Sequence, residues 1–179
     1  MSVQTSYSDF PAAGFDGMTD GDDHVIRPMK NVEVSAAMPF GIGVIFKSAP
    51  TTDQDALLPS GQTDKVAGIV VFSDAYDRTF TLADGTTAGQ LSSTGLIPGT
   101  MLNVMRQGAI YVTCATGCAP GDRLYVRCTA NGAISNQLGS CENAADSTNM
   151  IDCTKQGVWL TTAAAGARAW LEVDFTNKP

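Results

Sequence analysis

The chain has 179 residues, of which 44% are hydrophobic, so it has enough apolar material for a folded core and is not a disordered chain. The net charge of −7 excludes nucleic-acid binding driven by bulk electrostatics, because phosphates would be repelled. No apolar run approaches the roughly 18 residues that span a bilayer, and the first residues lack the basic start and apolar stretch of a secretory signal, so we expect synthesis in the cytosol and no membrane partner.

The first predicted unit is an extended N-terminal arm, residues 1–23. It contains five aspartates and no lysine or arginine, and its glycines break regular structure. A free tail seldom carries the apolar residues that this stretch contains. We therefore expect the arm to dock on a surface, either its own body or a neighbouring molecule. The predicted contact residues are Phe10, Pro11, Phe15 and Met18.

Short β-type segments fill the second predicted unit, residues 24–179. Their residues alternate between apolar and polar or form short apolar runs, and no stretch keeps a helical period over ten residues. The pattern predicts an all-β sandwich or small barrel, and it reads residues 135–153 as a polar loop insert. The predicted strands lie within residues 31–36, 39–46, 66–73, 101–115 (two strands, interrupted near Gln107 and Gly108), 122–135, 157–162 and 167–175.

Three of the five cysteines fall within CATGCAPGDRLYVRC, residues 114–128. On the predicted strands Cys114 and Cys128 each continue an apolar stripe, which is typical of free thiols in a core. A zinc site would need four converging soft ligands, and the spacing of the other cysteines matches no such arrangement. We therefore expect no metal. A disulfide between Cys141 and Cys153 is the alternative to simple core and loop thiols.

Catalytic signatures are missing from the sequence. The single histidine, His24, would have to be the base of any triad, and no nucleophile elbow, phosphate loop or dinucleotide motif occurs. The acidic stretch from Asp16 resembles a calcium loop at Gly21, but Arg27 stands where a bidentate carboxylate is needed. We predict a protein that is not an enzyme and holds no cofactor. A small hydrolase with paired carboxylates is a weaker alternative.

Two tryptophans, Trp159 and Trp170, lie on the last two predicted strands. If these strands form a hairpin, the indoles would offer a platform for a sugar or a partner protein. The other interpretation is that the rings complete the core or an oligomer interface. A carbohydrate-binding β-sandwich, such as a virion surface adhesin, is therefore the alternative function.

The order of the segments carries a resemblance to a known family. After the glycine-rich arm come AAMPFGIGVIF (36–46), a loop, and DKVAGIVVFSD (64–74). The segments VMRQGAIYVTC (104–114) and APGDRLYVRCTANGAI (119–134) follow. In this order and pattern, over roughly residues 5–136, the chain resembles the structural cement, or capsid decoration, proteins of tailed bacteriophages.

The resemblance implies a β-sandwich or jelly-roll-like head on the outer capsid surface of the virion. Such a protein would bridge neighbouring major capsid subunits and stabilise the mature shell. The implied partners are the major capsid protein and further copies of this chain, with a trimer favoured over a dimer and no nucleic acid. Residues 135–153 depart from the family pattern, so the resemblance gives them no role.

Overall fold

The computed structural model describes residues 14–20, 23–34, 36–47, 54–73, 79–81, 87–89, 91–92, 95–130 and 137–176. In these residues the chain forms β-strands and turns, with one 3-10 turn at Ser147–Asn149. The all-β class predicted from the sequence is confirmed. None of the helical structure in the described segments has the length and apolar character needed to cross a bilayer. The strands are β1 (Met18–Thr19), β2 (Val25–Asn31), β3 (Gly43–Phe46), β4 (Asp55–Leu57), β5 (Val66–Val71), β6 (Thr79–Thr81), β7 (Thr87–Gly89), β8 (Leu91–Ser92), β9 (Gly95–Leu96), β10 (Met101–Cys114), β11 (Tyr125–Arg127), β12 (Cys141–Glu142), β13 (Met150–Asp152), β14 (Gly157–Trp159) and β15 (Ala167–Asp174).

The long strand β10 is the centre of the fold, because β1, β2, β5, β12 and β15 all pair with it. The sequence predicts two strands here, broken near Gln107 and Gly108. The structure corrects this, since one continuous strand absorbs the irregularity as a β-bulge between Met105 and Gln107. Gly108 follows with a φ of 125°, and a Cβ at this position would lie 2.8 Å from the Cβ of His24. The bulge and the glycine bend the strand without ending it.

Five strands close into a small barrel. β10 pairs with β2, β2 with β4, β4 with β3, β3 with β5, and β5 returns to β10. Each of the five strands contributes to one apolar cluster, which therefore fills the barrel interior. Within the predicted choice of sandwich or small barrel, these strands form the barrel. The cluster includes Met29, Val44, Ala56, Val70 and Leu102.

A second apolar core lies on the other side of the barrel wall. Alternate residues of a strand point to opposite faces, so Ile45, Ile69 and Met105 turn away from the barrel interior and join this second cluster. The hairpin of β14 and β15 and the strands β11, β12 and β13 cover it. Strand β5 is thus buried on both faces, as its continuous apolar run predicts.

The predicted polar loop insert, residues 135–153, contains two strands and is therefore a wrong prediction. Strand β12 pairs with β10 and β11, and β13 pairs with β11. The apolar periodicity of the sequence does not reveal these strands, because Glu142, which is 1% exposed, places a charged side chain at a buried position. Its carboxylate accepts hydrogen bonds from Arg127 Nε and Nη2 at 2.6 and 3.0 Å, and Asp146 Oδ2 accepts a third at 3.1 Å. Hydrogen bonding to Glu142 raises the pKa of Arg127.

Candidate partner-binding surface

The last part of the predicted arm is fixed to the head, and we call residues 14–20 the arm base. The Gly17 N–H donates to the Tyr111 carbonyl at 2.8 Å, and the Phe72 N–H donates to the Gly17 carbonyl at 2.9 Å. Strand β1 then continues antiparallel to β10. Of the two docking targets that the sequence leaves open, the arm base therefore uses its own body.

Gly17 is the residue that lets the arm base approach so closely. Its φ is 85°, in the left-handed region that residues with a side chain rarely adopt. A Cβ here would lie 2.6 Å from the backbone nitrogen of Phe72 and 3.0 Å from the carbonyl oxygen of Val70. Both conditions exclude any residue larger than glycine from the docked position.

Asp16 adds side-chain contacts to this attachment. Its Oδ1 accepts a hydrogen bond from Thr113 Oγ1 at 2.8 Å, and its Oδ2 accepts one from Arg168 Nε at 3.1 Å. The Arg168 and Asp16 side chains are 45% and 27% exposed, so this ion pair contributes at most about 1 kcal/mol. Asp16, the first carboxylate of the stretch that resembles a calcium loop, is thus bound by side chains of the head. In the segments that the structure describes, no group of three or more potential ligands is placed to hold a metal ion.

The four predicted contact residues divide into two pairs. Phe10 and Pro11 lie outside the described residues, while Phe15 and Met18 belong to the arm base. Met18 is half-buried, and a Cβ on Gly14 would lie 2.5 Å from its terminal methyl carbon. Met18 therefore packs against its own chain. Phe15 is 47% exposed and keeps half of its ring surface available to a partner.

An aromatic cluster surrounds Phe15. The Phe15 and Phe72 ring centroids are 4.3 Å apart, and those of Phe72 and Phe40 are 5.0 Å apart. Tilted and edge-on pairs at these separations are favourable arrangements of aromatic quadrupoles. The cluster thus holds Phe15 in place at the surface, so that its exposed face is already ordered for contact.

A cleft of about 210 Å³ adjoins this cluster. Small-molecule sites usually measure about 300–1,000 Å³, so the cleft suits a few side chains of a partner better than a whole ligand. The sequence did not predict this cleft, because its walls come from segments far apart in the chain. Its lining includes Asp16, Phe40, Ile42, Thr113, Gln137 and Ser140.

The proposed tryptophan platform is corrected by the burial of both rings. Trp159 is 0% exposed and Trp170 is 1% exposed, although β14 and β15 do form the predicted hairpin. Trp159 belongs to the second core, and Trp170 packs with its ring centroid 5.2 Å from that of Tyr111. The core interpretation therefore describes these residues, and the sugar-binding alternative loses the surface on which it depended.

All five cysteines are buried free thiols, so Cys141 and Cys153 are not bridged. Cys114 and Cys128 lie in the second core, which confirms the interpretation of their stripes. Burial raises the pKa of Cys118 and that of Cys153 to about 12. Thiols that stay protonated near neutral pH are poor nucleophiles and poor metal ligands.

Comparison with known proteins agrees with this all-β architecture. A family model described as "Structural cement protein (E217 gp24/Pam3 gp6)" matches residues 3–174. A solved chain from "The capsid of Myoviridae Phage XM1" is similar with a TM-score of 0.60 and 16% sequence identity. That similarity covers 96% of this chain and 94% of the other, and at this identity it concerns the fold alone. A comparison with curated proteins gave no match.

Proposed function

The chain belongs to the structural cement protein family of phages, and from this premise we propose that it binds the outer capsid surface and bridges neighbouring major capsid subunits. The family assigns the chain a structural role in the capsid. The proposal adds the place on the shell, the bridging of subunits, and self-association, with a trimer favoured over a dimer. Through these contacts the protein stabilises the mature shell.

The observation that carries the proposal is the attachment of the arm base to the head. An arm that ties a capsid subunit to the head must itself be firmly attached to the head. Gly17 is held by backbone hydrogen bonds on two sides, and Asp16 is held by two side chains. Phe10 and Pro11 precede this fixed point by only a few residues in sequence. A capsid subunit held by these residues would be tied directly to the head.

The head supplies a second contact area beside the arm base. The exposed face of Phe15 and the neighbouring cleft are an apolar projection and an adjacent recess, which is how anchor residues and their pockets pair in protein interfaces. Stable interfaces usually bury about 1,200–2,000 Å² in total, more than either feature offers alone. Arm and head together would meet this requirement, and several copies on one shell would gain avidity.

Removal of residues 1–13 tests the proposal. A longer deletion through residue 23 would also remove β1 and the Asp16 contacts, and would therefore disturb the head itself. We expect the chain lacking residues 1–13 to keep the unfolding midpoint of the full chain and to lose most of its binding to purified mature shells in co-sedimentation.

Bridging has its own readout in the same experiment. Shells saturated with the full chain should dissociate at a higher temperature than bare shells, and shells mixed with the truncated chain should not. Full binding by the truncated chain would show that the arm is not the clamp. Binding of the full chain without any gain in shell stability would contradict the bridging role.

A further inference from the structure

The bulge in β10 sets Arg106 in an unusual environment. As the extra residue between Met105 and Gln107, it has no partner in the register with β2, and bulges commonly redirect a side chain in this way. Its guanidinium carbon lies 5.5 Å from the ring centroid of Phe46, and its Nη2 donates to the Phe175 carbonyl. Its buried Nε has no hydrogen-bond partner among the described residues. The fold thus holds this cation in a fixed position.

A second cation lies beside the first. Arg27 on β2 pairs in register with Val104 and is exposed. Burial, and next the charge of Arg27, lower the pKa of Arg106. Neither guanidinium forms an ion pair within the described part of the chain, and Asp174, whose charge acts on Arg106, accepts two hydrogen bonds from Thr176. Two like charges are therefore held together in a chain of net charge −7.

Carboxylates of the opposite charge lie farther along the same strand. The Asp20 N–H donates to the Ala109 carbonyl at 3.3 Å, which places Asp20 three residues beyond Arg106 on β10, or roughly 10 Å at the usual rise of a strand. Asp23 is exposed and has a φ of 53°, a conformation that aspartate tolerates. Neither carboxylate makes an ion pair with the described residues.

We propose that this surface is a self-association contact in which Asp20 and Asp23 of one copy bind Arg27 and Arg106 of another. The inference rests on the self-association part of the proposed function and names the residues responsible. An acidic and a basic group side by side form a surface complementary to itself. It can be used twice across a two-fold axis or once per interface around a ring.

The charge distribution is the argument for a second copy as the partner. A chain of net charge −7 repels its own copies at long range, so association requires a local attraction that overcomes this repulsion. The arm region supplies negative charge without any lysine or arginine, and the arginine pair supplies matching positive charge. Complementary charges at an interface fix the register of the partners and exclude wrong pairings.

Charge reversal on full-length protein tests the contact. Arg27→Glu and Asp20→Arg should each weaken the association constant measured by analytical ultracentrifugation at least about tenfold. The double variant that carries both Arg27→Glu and Asp20→Arg should associate as the wild type does, because exchanging the two charges restores an acid–base pair at every contact of a two-fold dimer or of a ring. Lys155→Glu makes the same change in net charge as Arg27→Glu at an exposed site elsewhere, and should leave association unchanged.

The outcomes separate this inference from the proposed function. Association of Arg27→Glu at wild-type strength, or failure of the double variant to associate when near-UV circular dichroism shows it folded, would overturn the contact. If Arg27→Glu does not fold, Arg27→Gln removes the same charge and should weaken association in the same direction. A wild-type chain that stays monomeric would overturn self-association altogether, while shell binding by that monomer would leave the capsid role intact. Loss of shell binding without loss of association would make the arginines a capsid contact instead.

Discussion

Replacing Gly17 with alanine would release the arm base from the head. The new Cβ would lie 2.6 Å from the Phe72 nitrogen and 3.0 Å from the Val70 oxygen, and these backbone atoms at the end of β5 cannot move without disturbing the barrel. The φ of 85° adds a cost of about 1–2 kcal/mol for an L-residue. The clash is relieved only when the arm base undocks.

Overlap of the new Cβ with these backbone atoms adds about 1–3 kcal/mol to the docked state of the variant. Together with the cost of the positive φ, the docked state of Gly17→Ala should lose about 3 kcal/mol relative to the open state. This corresponds to about a 100-fold change in the opening equilibrium, since about 1.4 kcal/mol is a factor of ten. The effect is local, because both apolar cores stay intact.

The Phe72 amide is the natural probe, since it donates to the Gly17 carbonyl. Its hydrogen exchange should be about 100-fold faster in Gly17→Ala than in the wild type, and shell binding should fall in parallel. Gly99→Ala is the matched control: its φ is also 85°, but a Cβ there meets nothing within 4 Å. Unchanged exchange at Phe72 in Gly17→Ala, or an equal acceleration in Gly99→Ala, would refute the reasoning.

Two further predictions concern the head. Glu142→Ala leaves the buried Arg127 without its main partner, so the free energy of unfolding should fall by about 3–5 kcal/mol. Glu172→Ala, at an exposed site, is the control, and equal urea midpoints for the two variants would contradict this prediction. Burial raises the pKa of Cys153 from 9.0 to about 12, so the folded chain keeps a proton that the unfolded chain loses. The stability that this thiol contributes is complete below pH 9.0 and is lost as pH rises from there towards about 12. Cys153→Ala should lose less stability over that interval, and parallel curves of urea midpoint against pH for the two proteins would count against it.

The apolar periodicity of a strand predicts which of its faces is buried when that face packs against an apolar core. Leu124, Val126 and Cys128 alternate along β11 and its flanks, and all three are buried as predicted. Arg127 lies between them, and the sequence places it on the outer face. It is buried because Glu142, on the neighbouring strand β12, and Asp146 pair with its guanidinium on that face. The pattern within one strand carries no information about the charged partners that other segments place beside it.

The attachment of the arm was predictable in kind but not in detail. The apolar residues of an otherwise acidic arm indicate docking, and the arm base does dock. The contact between Asp16 and Arg168 joins residues 152 positions apart, and a single sequence offers no signal for that pairing. The positive φ of Gly17 is equally invisible, because the arm contains several glycines that look alike in sequence.

The central position of β10 has a consequence for biosynthesis. Its partners include β2, made early, and β15, made last among the described strands. The described residues of the barrel core all precede residue 105, whereas the second apolar core includes residues of β15 and cannot be completed while the ribosome is still adding residues 167–174. The attachment of the arm base is also incomplete until then, because Arg168, which binds Asp16, belongs to β15. A nascent chain therefore lacks the finished attachment point, and maturation of the binding surface is postponed until translation is nearly over.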